Sequence, residues 1–260
     1  MEDSRKLYML HAPVSTAVLP ESEALRLRLA DAELCMVFAS WELLEPVQDT
    51  YSESAYDVLR ERLIRLISLG IEPVLCLYHG EMPGWFRLRG GWKKEDNLRH
   101  YLRYVGKTVR SVGHLVSRYI TVAEPERLCR SGKVTLSAPL DAMASLSNMI
   151  GGHVRAYRLI HDTRTQRGLK DTSVGFLLHM TPASPLRRRF LGELDLLEAE
   201  LLTAMARGRF APPLINPLRI KAGEWCDFVA VRVEEEGEAA EKLRQEAEIL
   251  TEKDAILTTF

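Results

Sequence analysis

Gly70-Ile71-Glu72-Pro73-Val74-Leu75-Cys76-Leu77-Tyr78-His79 is the stretch on which the fold turns. Pro73 to Tyr78 is a short apolar run of the kind that forms a buried strand. Before it, Leu59, Leu63, Leu66 and Ile67 recur at helical spacing, and Gly70 ends that helix. After it, Leu98, Leu102, Val105, Val109 and Val112 repeat the helical pattern up to Gly113. Helix, strand, helix is the unit, and it recurs along the chain.

Further strand-like runs lie at Leu7 to Val14, Cys35 to Ser40, Tyr119 to Val122, Ser173 to His179, Phe228 to Val233 and Ala255 to Phe260, making seven in all. Between them Met149, Val154, Tyr157 and Ile160 lead to Gly168; Leu194, Leu197, Leu201 and Met205 lead to Gly208; Ala239, Leu243, Ala247 and Leu250 mark a last helix. This alternation is the signature of a parallel sheet wound through crossover helices, an α/β architecture in one domain over residues 1–260. Rhythm alone fits a doubly wound sheet or a barrel equally. A Gly-rich phosphate turn is missing after the first run, where Leu10-His11-Ala12-Pro13 stands, so dinucleotide binding loses its main support.

The 260 residues, 46% of them hydrophobic, suffice for one barrel-sized core, and 35 Lys plus Arg nearly cancel 36 Asp plus Glu. No global field therefore favours nucleic acid or an anionic membrane. The charged Met1 to Lys6 and the interruption at His11 and Pro13 fit neither a signal peptide nor a spanning helix, so a cytoplasmic protein is expected. Cys35, Cys76, Cys129 and Cys226 are scattered and read as reduced thiols rather than as a metal site or disulfide framework.

Five segments resemble the family 1 glycoside hydrolases. Ser40-Trp41-Glu42-Leu43-Leu44-Glu45-Pro46 is similar to the end of that family's second strand, and Pro73 to Pro83, with Trp85 and Gly90-Gly91-Trp92, to its third strand and loop. Ile120-Thr121-Val122-Ala123-Glu124-Pro125 resembles the fourth-strand signature, Gly175 to Pro182 the fifth and Asp227-Phe228-Val229 the sixth. The resemblance implies a TIM-type (β/α) barrel, here of about seven strands, with a sugar pocket at the C-terminal strand ends.

Retaining glycosidases pair a proton donor with a nucleophilic carboxylate roughly 5 Å away. By resemblance Glu124 occupies the acid/base position; the other reading of Glu124 is an inherited carboxylate paired with a neighbouring arginine. The surroundings depart from the family. Ala123 stands where a sugar-binding asparagine is usual, Met36 where an arginine supports the nucleophile, and Arg232, Val233 and Glu234 where an asparagine and tyrosines are expected. The closest match to the nucleophile motif, Ile256-Leu257-Thr258-Thr259-Phe260, puts Thr259 at the nucleophile, and threonine has no acidic hydroxyl to activate. An inverting route would need a second carboxylate, such as Glu81 or Glu234, at the wider spacing of roughly 6.5 to 9.5 Å.

Binding is the function these losses leave. His79 matches a sugar-contacting histidine of the family, and Trp41, Trp85 and Trp92 are candidate apolar faces at the mouth, with core burial as the competing reading. His179 and Arg232 complete the candidate set; Arg187 to Arg189 read as a solvated helix start. Two histidines and a carboxylate, His79, Glu124 and His179, are a weak metal pattern, and no cofactor is expected. The expectation is a carbohydrate-binding barrel, non-hydrolytic or weakly active, a pseudoenzyme of carbohydrate metabolism. The alternatives are an active O-glycosyl hydrolase or transglycosidase using Glu124, and a scaffold whose pocket is filled. Seven strands also imply that the first meets the seventh directly or that a partner, such as a second copy, covers an open edge.

Overall fold

A computed structural model describes residues 6–9, 21–126, 139–181, 196–212, 214–216, 218–233 and 237–259. Seven parallel strands close into one barrel in sequence order: β1 (Lys6–Met9), β2 (Leu34–Phe38), β3 (Glu72–Cys76), β4 (Arg118–Ala123), β5 (Ser173–His179), β6 (Phe228–Arg232) and β7 (Asp254–Thr259). The closure is direct. Leu7 pairs with Thr258 and Tyr8 with Thr259, so the seam has no unpaired edge and gives no reason to require a covering partner.

The helices are α1 (Glu21–Leu29), α2 (Trp41–Leu44), α3 (Glu53–Ser68), α4 (Gly84–Leu88), α5 (Leu98–Val112), α6 (Pro139–Gln166), α7 (Leu196–Arg207) and α8 (Glu238–Thr251). Ser52 starts α3 by accepting the Ala55 amide on its hydroxyl, and Gly70, at φ 77°, follows the helix in the left-handed conformation that glycine adopts at least cost. Gly113 differs: its φ is −61°, and a Cβ there would fall 2.3 Å from the Val109 carbonyl oxygen and 3.3 Å from the Tyr119 hydroxyl. Glycine at that helix end answers to packing, not to a left-handed turn.

Two apolar cores follow from strand alternation. Inward residues Leu34, Met36, Val74, Cys76, Ile120, Ala123, Leu177, Phe228 and Ala230 fill the barrel, while outward residues such as Cys35, Leu75, Tyr119, Phe176 and Val229 pack under the helices. Gly175 leaves room for the Phe228 ring on the neighbouring strand: a Cβ at 175 would lie 2.4 Å from the Phe228 carbonyl oxygen and 2.9 Å from its ring. α5 ties the barrel's upper rim to the helix layer through two buried hydroxyls. Tyr101 donates to Thr121 O at 2.7 Å, and Tyr104 donates to Ala39 O at 2.7 Å and to Leu77 O at 3.0 Å. At the opposite end Asp227 accepts the Val174 amide, the Tyr157 hydroxyl and His161 Nε2, at 2.7 to 3.0 Å, and so fastens β6 to β5 and α6. No described helix is long and apolar enough to cross a membrane.

Candidate functional site at the barrel mouth

The chemistry-bearing residues are set by what happens at the end of β4. Ile120 pairs with Gly175, but Ala123 pairs with Leu177, so β4 carries one extra residue and bulges. The bulge turns Thr121 and Val122 both outward. Thr121 is fully buried, its hydroxyl 2.6 Å from His153 Nδ1 on α6, and burial pushes that imidazole down to about 4, so it is neutral. Ala123 is thereby turned into the barrel and Glu124 leaves the strand at φ 48°, a left-handed backbone that a glutamate adopts only under constraint. Its amide donates to Leu177 O at 2.7 Å, which fixes the turn.

Glu124 meets a base there. Arg232 Nη1 donates to Glu124 Oε1 at 2.6 Å, joining the ends of β4 and β6, and the two side chains are 20% and 17% exposed for Arg232 and Glu124 respectively. His179, Arg232 and Thr258 occupy one register line across β5, β6 and β7, and alternation from Leu177, Ala230 and Ile256 puts all three on the inward side. Thr258 is buried and its hydroxyl has no hydrogen-bond partner among the described residues. The motif match puts the nucleophile at Thr259, next to this inward Thr258 on β7, and neither residue is a carboxylate.

His79 follows β3 and stacks on Phe38, the last residue of β2, with ring centroids 4.1 Å apart and planes 21° from parallel. His179 is buried, and its backbone amide donates to Glu126 Oε1 at 3.1 Å. The His79, Glu124, His179 metal pattern is not realised: among the described residues no group of three or more His, Cys, Asp or Glu could hold an ion. Glu81 is exposed on the loop after β3, and Glu234 lies outside the described residues.

The tryptophans serve the helix layer. Trp41 is 1% exposed, stacks on Tyr104 at 5.0 Å and donates its indole N–H to Glu45 Oε2 at 2.8 Å. Trp85 is half-buried and donates to Glu45 O at 3.0 Å. Trp92 is buried against Tyr78, Tyr101 and Gly152. Core contacts thus occupy the faces of Trp41 and Trp92. Glu45, of the Glu45-Pro46 pair, holds this layer by also accepting the Asp49 amide; burial raises its carboxyl.

Three residues escaped sequence reasoning: Phe38, Thr258 and Glu126. The spacing Glu124-Pro125-Glu126 was a usable signal for the last. Glu126 is 1% exposed, and burial pushes its carboxyl up to about 8, with Glu124 and Glu198 adding to the shift. A cavity of about 290 Å³ opens beside Phe38, between the exit of β2 and α3, with Ser40, Leu44, Val58, Leu59 and Arg62 in its walls.

A closed parallel barrel whose inward carboxylate stands at the C-terminal end of β4 defines a glycosidase-type barrel. The family model for glycosyl hydrolase family 1 matches residues 54–258, and the chain belongs to that family. Among curated relatives, lactase/phlorizin hydrolase of Rattus norvegicus is 27% identical over 206 residues, 75% of this chain and 10% of that protein. Cytosolic beta-glucosidase of Cavia porcellus is 27% identical over 157 residues, 56% of this chain and 33% of that protein. A beta-glucosidase from Thermotoga maritima solved with deoxynojirimycin superposes with a TM-score of 0.67 at 19% identity, over 82% of this chain and 53% of that one. A beta-glycosidase from Pyrococcus horikoshii gives 0.65 at 23% identity, over 82% and 51%. The chain therefore spans about half the length of these solved relatives and a third or less of the curated ones.

Proposed function

We propose that this barrel binds a carbohydrate or a glycosylated metabolite at its C-terminal mouth and does not carry out retaining hydrolysis. One observation carries the reading: Arg232 clamps Glu124 at 2.6 Å, so the residue at the family's proton-donor position is engaged as the acceptor of a charge-assisted hydrogen bond. A general acid must instead present a hydroxyl to the leaving oxygen. Support comes from the opposite wall, where Thr258 and Met36 face inward and supply neither a carboxylate nor an arginine. His79, His179 and Arg232 are the groups we assign to ligand contact, with Trp85 at the rim. The buried free thiols Cys35, Cys76 and Cys226 support a reducing, cytoplasmic setting and a role in carbohydrate metabolism there.

Burial of Trp41, Trp92 and His179 favours a second reading, an interaction protein with a filled mouth. Titration calorimetry with glucose, galactose and their phosphates separates the two. Heat of binding that Arg232→Met reduces supports the first reading, and a uniformly blank panel supports the second. Turnover of aryl β-glycosides that Glu124→Gln abolishes would overturn both and establish an active hydrolase or transglycosidase.

A further inference from the structure

β5 leaves the barrel as Leu177, His179 and Thr181, and an acid-bearing residue holds each of these alternate positions. The Glu124 amide donates to Leu177 O, the His179 amide donates to Glu126 Oε1 at 3.1 Å, and the Thr181 amide and hydroxyl donate to Glu198 at 2.9 and 3.0 Å. Glu126 and Glu198 are both 1% exposed. They differ in satisfaction. Glu198 accepts on both oxygens, whereas Glu126 Oε2 is buried with no hydrogen-bond partner among the described residues.

We propose that Glu126 is a proton-operated latch on the exit of β5: neutral, it stays under the mouth and holds the His179 amide; ionised, it leaves that site and releases the exit segment. The charged groups around it decide the direction. Glu124 faces it from the end of β4 and Glu198 from α7, both negative; His179 offers its backbone amide from β5; the guanidinium of Arg232, from the end of β6, is directed to Glu124. An ionised Glu126 would add a buried charge beside two carboxylates while one of its oxygens lacks a donor, the arrangement most costly to keep. The neutral acid leaves only the O–H on Oε2 without an acceptor among the described residues, a smaller cost than a buried charge, while the His179 amide satisfies the carbonyl oxygen. When the proton departs to solvent, the low-energy course is for the side chain to follow it into water, which breaks the Glu126–His179 bond. His179 is a mouth residue, so the latch couples pH to the shape of the mouth whatever that mouth binds.

Native-state amide exchange of the intact chain, followed by NMR and corrected for intrinsic rates, tests this. Linkage of one proton with a carboxyl at about 8 in the closed state makes His179 protection fall about tenfold per pH unit from roughly pH 5 to 8 and level off above. The Val231 amide, inside β6, reports global unfolding, which also exposes Glu126 and carries the same slope, so the latch requires His179 protection to lie below that of Val231 throughout this range, and Glu126→Gln should flatten the His179 profile. A pH-independent His179 amide in the native protein, or an unchanged slope in Glu126→Gln, overturns the latch. If Glu126→Gln does not fold, ¹³Cδ-glutamate NMR of the native chain decides: a carboxyl titrating near 8 is expected, and titration of every glutamate in the ordinary range overturns the proposal.

Discussion

Breaking the clamp between Glu124 and Arg232 tests whether the family's acid has become a structural group. Both side chains are mostly buried, at 17% and 20% exposure, and the 2.6 Å contact is a charge-assisted hydrogen bond between strand ends 108 residues apart in sequence. Hydrogen bonds to charged groups contribute about 1.5 to 3 kcal/mol, and removing one member of a fully buried pair costs roughly 3 to 5 kcal/mol. Partial exposure discounts the second figure, so Glu124→Gln and Arg232→Met should each cost about 2 kcal/mol. Because each single variant loses the same contact, the double variant should fall short of the summed losses by about 1.5 kcal/mol or more. Urea unfolding at pH 7, followed by tryptophan fluorescence, measures all four corners of the cycle. A coupling energy below about 0.5 kcal/mol would refute the clamp and return Glu124 to the status of an uncommitted carboxylate.

Gly175→Ala should destabilise by about 1 to 3 kcal/mol in the same assay, since the new methyl meets backbone, 2.4 Å from Phe228 O, and no rotamer change relieves that. Asp227 is half-buried, which opposes its charge, but hydrogen bonds from His161, the Val174 amide and Tyr157 outweigh burial and hold its carboxyl below the usual range. The stability this gives is present above the unfolded-state value and is lost as pH falls through the lower folded-state value. Asp227→Asn should therefore weaken the protein at pH 7 and flatten the acid limb of a melting-temperature profile. Burial pushes the thiols of Cys35 and Cys226 up to about 12 and that of Cys76 higher. A thiol reagent at pH 8 should leave all three unlabelled in the native protein and label them in urea, read by peptide mass spectrometry.

The strands were legible because a barrel strand is a short apolar run wherever it occurs. Ser173 to His179 matches β5 at both ends, and counting seven strands left either a direct meeting of β1 with β7 or a covering partner, of which the register realises the first. Side-chain direction was not legible at the strand ends. A strand alternates with period two, so an alignment displaced by one residue moves a side chain from pocket to exterior, and the inward place of Thr258 could be read only from the register of β7 on β6. The β4 bulge has the same effect at the most consequential place: Thr121-Val122-Ala123 reads as plain alternation, yet the extra residue is what turns Ala123 inward and sends Glu124 into a left-handed turn.

The tryptophans were ambiguous for a different reason. Trp41 and Trp92 lie in segments similar to pocket loops of the family, but α5 presents Tyr101 and Tyr104 to them. That contact spans 60 residues for Trp41 and Tyr101, and no local periodicity encodes it. The Glu124–Arg232 clamp shows how far residue types alone can go. By resemblance Arg232 falls in a segment where an asparagine and tyrosines are expected, which signals a charge change at the mouth, and register then decides its partner: β5 and β6 pair His179 with Arg232, one strand from the β4 exit. A lysine or a shorter side chain at 232 would not offer the same planar reach to Glu124. The arginine at the end of β6 and the carboxylate at the end of β4 thus satisfy each other.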